Sequence, residues 1–97
     1  MNLSELLGKI IAKEPKKVYS KANPFHGQAY YKLKVLTEDN EKPTFFVYPN
    51  LVNPTIWKAI IHSHYVDKRY LLYGEKRKKG FILRDWQELK EEEASNE

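Results

Sequence analysis

Cysteine is absent from this 97-residue chain, which excludes disulfide bonds and thiolate chemistry. That absence fits a reducing compartment, so we expect the cytoplasm, or the stroma or matrix of an organelle. No run of about 18 apolar residues occurs, and the sequence predicts no membrane-spanning helix. The first five residues lack the basic start and apolar core of a signal peptide and the bias of a transit peptide.

Sequence signatures of catalysis are also missing. The chain has no glycine-rich phosphate loop, no Gly-x-Ser-x-Gly elbow and no paired His/Glu zinc motif. His62 and His64 lie two residues apart at the end of an expected helix, where two side chains do not share a face. The sequence places no third ligand beside them. We therefore predict a protein that is not an enzyme and that holds neither a metal nor a cofactor.

Charge is abundant but unevenly distributed around a net value of +4. Residues 88–97 contain five glutamates against one lysine, whereas residues 1–87 carry sixteen basic and eight acidic side chains. A basic body attracts phosphate, and an acidic tail competes for that surface, recruits a partner or only maintains solubility. We expect one folded domain over residues 1–89 and an acidic, flexible tail over residues 90–97.

Alternating polarity predicts strands along most of the body. Residues 6–20 alternate loosely around Gly8, which indicates a bent strand of the kind found at a barrel corner; a helical turn over residues 3–7 is the alternative. Residues 29–37 alternate most regularly, and residues 44–48 repeat the pattern after a polar turn. These two strands should form an antiparallel hairpin.

A short helix should follow, because Asn53 is a good N-cap and Pro54 suits the first helical position. We expect it to end near His64, before strands at residues 68–75 and 80–88. Five antiparallel strands with one short helix between the third and fourth predict an all-β fold, the five-stranded OB-fold barrel. An α+β sandwich with the helix over one sheet face is the alternative.

Aromatic rings and cations occur together at two places, a combination that suits a flexible polyanion with exposed bases. One is the outer face of the second and third strands, and the other is the last hairpin with its basic turn at residues 76–80. Cations neutralise phosphate and rings stack on bases. The candidate nucleic-acid-binding residues are Tyr30, Lys32, Lys34, Phe46, Tyr48, Tyr73, Lys76, Arg77, Lys78 and Lys79.

Several short segments, in this order, resemble bacterial-type single-stranded DNA-binding proteins and the related primosomal replication protein PriB family. They are residues 7–10, Glu14-Pro15 with Val18-Tyr19, residues 27–35, residues 47–51 and residues 73–77. The resemblance covers residues 6–89 and implies an OB-fold, outward-facing binding positions at Phe46 and Tyr48, and assembly into a dimer or tetramer. It also implies a partner among replication proteins.

Each candidate residue has a structural alternative. Tyr30 and Phe46 could be a cross-strand pair or lie in a dimer interface. Lys32 and Lys34 could belong to a solvated face, and residues 76–79 could be a hairpin tip that discourages edge aggregation. The two tryptophans, Trp57 and Trp86, are better explained as core or interface residues than as base contacts. Phe25 could close over a bound strand or pin its own loop.

The sequence thus predicts a protein that binds single-stranded DNA with low sequence specificity in replication, recombination or repair. An RNA-binding module of the same fold is the first alternative, and contact with the 2′-hydroxyl would distinguish it. A protein-interaction adaptor, in which the aromatic face receives a partner chain, is the second. The adaptor predicts no oligonucleotide binding and little dependence on salt.

Overall fold

The computed structural model describes residues 2–19, 21–24 and 26–90. Phe25 and residues 91–97 of the expected tail lie outside these residues. The described chain contains five strands and one helix, in the order β1 Ser4–Lys17, β2 Ala29–Thr37, β3 Thr44–Val47, α1 Pro54–Ile61, β4 Arg69–Arg77 and β5 Gly80–Leu89.

The five strands form one sheet that closes in a ring in the order β1-β2-β3-β5-β4, with β4 pairing back to β1. The all-β class and the single short helix between β3 and β4 are confirmed. The expectation that all strands run antiparallel is wrong, because β3 and β5 pair in parallel through Phe45–Phe81 and Phe46–Ile82. A parallel pair needs a crossover connection, and here α1 and β4 supply it.

The core fills the inside of the ring, and strand alternation determines which side chains enter it. On β2, Leu33 and Val35 are buried, and on β3, Phe45 and Val47 are buried, while their sequence neighbours point outward. No polar or charged side chain is buried among the described residues. The other buried hydrophobic residues are Ile10, Val52, Ile56, Ile60, Tyr65, Tyr70, Leu72 and Leu83.

Helix α1 begins as predicted and ends earlier. The Asn53 side chain accepts a hydrogen bond from the Ile56 amide at 2.9 Å, and Pro54 occupies the first turn. At the other end the chain leaves the helix at His62, not near His64. The two histidine rings consequently stack, with their centroids 5.5 Å apart, so the expectation that they do not share a face is wrong.

A lysine from β1 contacts the carboxyl-terminal end of the helix. The Lys13 ammonium donates to the Ile60 and Ile61 carbonyls, at 2.9 and 3.1 Å, and to the Ser63 hydroxyl at 3.0 Å. The last carbonyls of a helix lack intrahelical donors and carry partial negative charge, so a cation stabilises this end. The same ammonium lies 5.3 Å from the centroid of the Tyr31 ring, which ties helix, β1 and β2 together.

Strand β1 is continuous from residue 4, so the alternative helical turn over residues 3–7 is wrong. Gly8 lies where the strand changes partners, since it pairs with Thr37 of β2 and with Tyr70 of β4. A β-carbon on Gly8 would lie 2.5 Å from the Leu36 carbonyl oxygen. The irregularity of β1 lies beyond Gly8, since its register with β2 shifts between Ile10 and Ala12. At Gly8 the missing side chain instead lets the β2 backbone approach closely.

We predict that Gly8→Ala destabilises the protein by about 1–3 kcal/mol, the usual cost of inserting a methyl group into a filled space. Urea denaturation followed by circular dichroism measures the change. The matched control is Lys9→Ala, because Lys9 is the next residue and its side chain is exposed. Equal stabilities for the two variants would show that β1 and β2 can separate at Gly8 without cost.

Candidate nucleic-acid interface

The outer face of β2 and β3 carries the five side chains that alternation predicted for it. Tyr30, Lys32 and Lys34 alternate with the buried residues of β2, and Phe46 alternates with those of β3; Tyr48 directly follows β3. All five are half-buried and none lies inside the ring. Lys32 and Phe46 are direct cross-strand partners. The face therefore presents rings and ammonium groups side by side.

The Tyr30 ring contacts the other two rings of this face. The Tyr30 and Tyr48 rings are stacked, with centroids 4.9 Å apart and planes 27° apart. The Phe46 ring lies 6.4 Å from Tyr30 and is tilted by 56°. Burial, and to a lesser extent the neighbouring Tyr30, raises the pKa of the Tyr48 hydroxyl. The tyrosines thus stabilise the sheet through one face of each ring, and a base would have to use the remaining faces.

A groove joins these rings to the basic hairpin. Its lining residues are Phe46, Tyr48, Arg77, Lys78, Lys79 and Ile82. The parallel pairing of Phe46 with Ile82 creates the apolar floor, because it sets β5 directly beside β3. The result is an open apolar channel with cations along one side.

Close approach of two backbones places the hairpin turn against β3. Gly80 has a φ of +154°, and a β-carbon there would lie 2.4 Å from the Thr44 carbonyl oxygen. Lys78 and Lys79 alone form the turn, since Arg77 still pairs with Gly80. The predicted turn over residues 76–80 was therefore too long, and Lys76 and Arg77 belong to β4.

This difference separates Lys76 from Arg77, because successive strand residues point to opposite faces. The Lys76 ammonium lies 4.9 Å from the centroid of the Phe81 ring, and Phe81 packs against the core. Lys76 does not line the groove. Arg77 does, but its guanidinium is paired with Glu75.

Two other candidate binding residues, Tyr73 and Lys34, do not line the groove. Tyr73 points outward from β4, opposite Glu5 and Asp85, with β5 between it and β3. The Lys34 ammonium donates to the Thr44 hydroxyl at 2.9 Å. Among the described residues, Lys32, Lys78 and Lys79 have no ion-pair partner, which leaves their charges available for an external anion.

Sequence reasoning missed two parts of this surface. Ile82 faces the groove, but it stands between Phe81 and Leu83, and a continuous apolar run conceals which residue points outward. Tyr19 is 78% exposed and lines a second depression with Lys16, Lys17 and Tyr30. The sequence signal for Tyr19 was a ring two residues after a lysine pair, but residue 19 was expected to belong to the first strand, which in fact ends at Lys17.

Both tryptophans belong to the packing of the core, as expected. Trp57 lies against Tyr31 with ring centroids 5.4 Å apart, and Trp86 stacks on Tyr70 at 4.1 Å. Burial, followed by the nearby Glu88 carboxylate, raises the pKa of the Tyr70 hydroxyl to about 12. These two half-buried tryptophan rings pack against the core.

Comparison with known proteins identifies no relative: no family model, curated protein or solved structure matches this chain. In the described part of the chain no helix has the length and apolar character needed to cross a membrane. The same residues contain no group of three or more side chains suited to holding a metal ion.

Glu75 holds the arginines beside this groove in place. Its carboxylate accepts a hydrogen bond from Arg84 at 2.8 Å and pairs with Arg77 on the other side. The Arg77 contact, ahead of the Arg84 contact, lowers the pKa of the Glu75 carboxyl below its usual range, although desolvation partly opposes the shift. An anionic ligand that takes either guanidinium must compete with this carboxylate.

The lowered pKa predicts how stability depends on pH. A carboxyl with a lower pKa in the folded state stabilises the fold above its unfolded pKa, and that contribution disappears as the pH falls through the folded value. Between about pH 6 and about pH 3, the wild type should therefore lose more stability than Glu75→Gln. Denaturation with urea at several pH values measures the difference, and Glu14→Gln is the control because its paired carboxylate is 58% exposed. Parallel pH profiles for the wild type and Glu75→Gln would contradict the assignment.

Proposed function

We propose that the protein is an OB-fold protein that binds single-stranded DNA with low sequence specificity, in replication, recombination or repair. The observation that carries the proposal is the groove in which Phe46 and Tyr48 adjoin Lys78 and Lys79, whose ammonium groups have no ion-pair partner in the described part of the chain. Rings stack on any base, and cations hold the phosphates between the bases. A duplex keeps its bases stacked on one another, so the rings favour a single strand.

The topology supports the OB-fold assignment. The ring order β1-β2-β3-β5-β4, with one helix between β3 and β4, matches a five-stranded Greek-key barrel. In that fold, oligonucleotides bind across strands 2 and 3 and between the loops that follow strands 1 and 4. In this chain the corresponding regions are the β2–β3 outer face, the described residues between β1 and β2, and the turn at Lys78 and Lys79.

Three adjoining depressions support a path for the strand. The groove shares Tyr48 and Ile82 with a neighbouring depression that reaches Gln28 and Asn50. The stacked Tyr30 and Tyr48 rings connect this region to the third depression, which contains Lys16, Lys17 and Tyr19. The path crosses from β5 over β3 and β2 to β1, about 15 Å at ~4.8 Å between strands. A span of this length suits a short stretch of nucleotides.

We predict that Phe46→Ala with Tyr48→Ala weakens binding to a dT oligomer at least about tenfold. Base stacking is worth about 1–3 kcal/mol for each base, and the double substitution removes two ring faces. Fluorescence anisotropy with a labelled oligomer measures the affinity, and circular dichroism verifies the fold. The control is Ile61→Ala with Val66→Ala, two exposed apolar residues at the end of the helix.

Unchanged affinity in the folded double variant would rule out the β2–β3 face. Duplex DNA of the same sequence should bind more weakly than the single strand, and an rU oligomer of equal length tests the RNA alternative. If neither oligomer binds at low salt, the adaptor function applies instead.

The lysines at the turn should determine how strongly salt weakens binding. Each phosphate contact contributes about 0.7 to the slope of log K against log salt for a single strand. Lys78→Gln with Lys79→Gln should therefore reduce the magnitude of the slope by about 1.4. Titrations at four or more salt concentrations provide the slope.

The matched control is Lys58→Gln with Lys90→Gln, which removes the same charge at exposed positions outside the groove. A slope identical to that of the wild type in the turn variant would show that Lys78 and Lys79 do not contact phosphate.

A further inference from the structure

A second groove, with acidic rims, lies where β1 pairs with β4 and the β2–β3 turn approaches them. Its apolar part is formed by Leu6, Leu7 and Leu71, and the Leu7 side chain is 40% exposed. Its acidic residues are Glu5, Glu38, Asp39 and Glu41. We call this surface the acidic groove. Phosphate is repelled by such a surface, so a nucleic acid is not its ligand.

The rim of the acidic groove already receives one cation. The Arg69 guanidinium donates to the Glu38 carboxylate at 2.5 Å. This contact shows that a basic side chain can lie against the rim, and it leaves Glu5, Asp39 and Glu41 to attract further positive charge. Exposed leucines beside carboxylates favour a ligand that is cationic and partly apolar.

The same chain presents a segment with this chemistry. The β4–β5 hairpin ends in Lys78 and Lys79, whose ammonium groups have no ion-pair partner among the described residues, and Ile82 lies behind them on β5. A two-residue turn is narrow, so it can enter a groove that a flat surface cannot fill. We propose that the acidic groove receives the β4–β5 hairpin of a second copy of this chain.

Geometry makes this contact head-to-tail. Leu71, in the acidic groove, and Arg77, at the base of the hairpin turn, are six residues apart on β4, about 20 Å at ~3.4 Å per residue. The two surfaces therefore lie towards opposite ends of one strand. A contact between unlike surfaces leaves a free groove on one copy and a free hairpin on the other, so further copies can add.

The contact should be weak and sensitive to salt. A hairpin tip in a groove buries less than the ~1,000 Å² expected of a stable interface. Its charges are exposed, and screening at high ionic strength reduces their attraction. We expect association at high protein concentration in low salt and dissociation as salt is added.

Two variants test the contact from its two sides, without nucleic acid. Glu5→Gln with Glu41→Gln alters the groove and preserves the Glu38–Arg69 pair, whereas Lys78→Gln with Lys79→Gln alters the hairpin. Sedimentation velocity over a range of concentrations at low salt measures the association constant. Each variant alone should associate at least about tenfold more weakly than the wild type.

An equimolar mixture of the two variants is the decisive test of the head-to-tail contact. The hairpin of the groove variant is intact, and so is the groove of the hairpin variant, so the mixture should form one contact and stop at two chains. Glu14→Gln with Glu88→Gln, which removes two exposed acids outside the groove, should associate as the wild type does.

The inference fails if the wild type stays monomeric at low salt, if it associates but either variant associates equally well, or if the mixture remains monomeric. Because no oligonucleotide is present, these outcomes are independent of whether the protein binds single-stranded DNA.

Discussion

Closure of the sheet depends on β1, the one strand that pairs along different parts of its length with both β2 and β4. Its partners change at Gly8, where the β2 backbone approaches so closely that a β-carbon has no room. Without that change of partner the sheet would keep two open edges and its apolar face would have nothing to enclose. Closure also decides which side chains point outward. Alternate residues of a strand lie on two opposite faces, and one face becomes the inside only when the sheet forms a ring.

Closure also separates two surfaces of opposite charge. The aromatic and basic groove lies where β3 meets β5, and the acidic groove lies where β1 meets β4. On one side of the ring, β2 lies between the two grooves. On the other side, the length of β4 separates the hairpin turn from the acidic groove. A small domain with net charge +4 thus presents Lys78 and Lys79 on one surface and Glu5, Asp39 and Glu41 on another.

Local patterns could be predicted from the sequence, and non-local contacts could not. The alternation in β2 was strong enough to give its bounds and both faces, and Asn53-Pro54 gave the start of the helix. The parallel pairing of β3 with β5 left no periodic signal, since the paired residues are 36 positions apart in the sequence. Because that pairing was missed, Ile82 was missed as well.

The wrong prediction of the turn in the β4–β5 hairpin has a similar origin. Residues 76–79 all carry positive charge. Four consecutive basic residues give no sign of where a strand ends and a turn begins. The backbone separates them: β4 continues to Arg77, so Lys76 turns to Phe81 while Arg77 meets Glu75. The cluster of positive charge in the sequence therefore did not show that Lys76 and Arg77 point to different surroundings.

The proposals for the two grooves converge on one hairpin. Lys78 and Lys79 would contact phosphate when a strand occupies the β3–β5 groove, and carboxylates when the hairpin enters a second copy. One pair of ammonium groups cannot do both at the same time, so a bound strand and a neighbouring copy exclude each other at that hairpin. The acidic groove of the same molecule stays free, however, because phosphate does not compete for it. A copy that holds a strand can therefore still receive the hairpin of a copy that does not, and this asymmetry would keep unoccupied molecules beside those already bound.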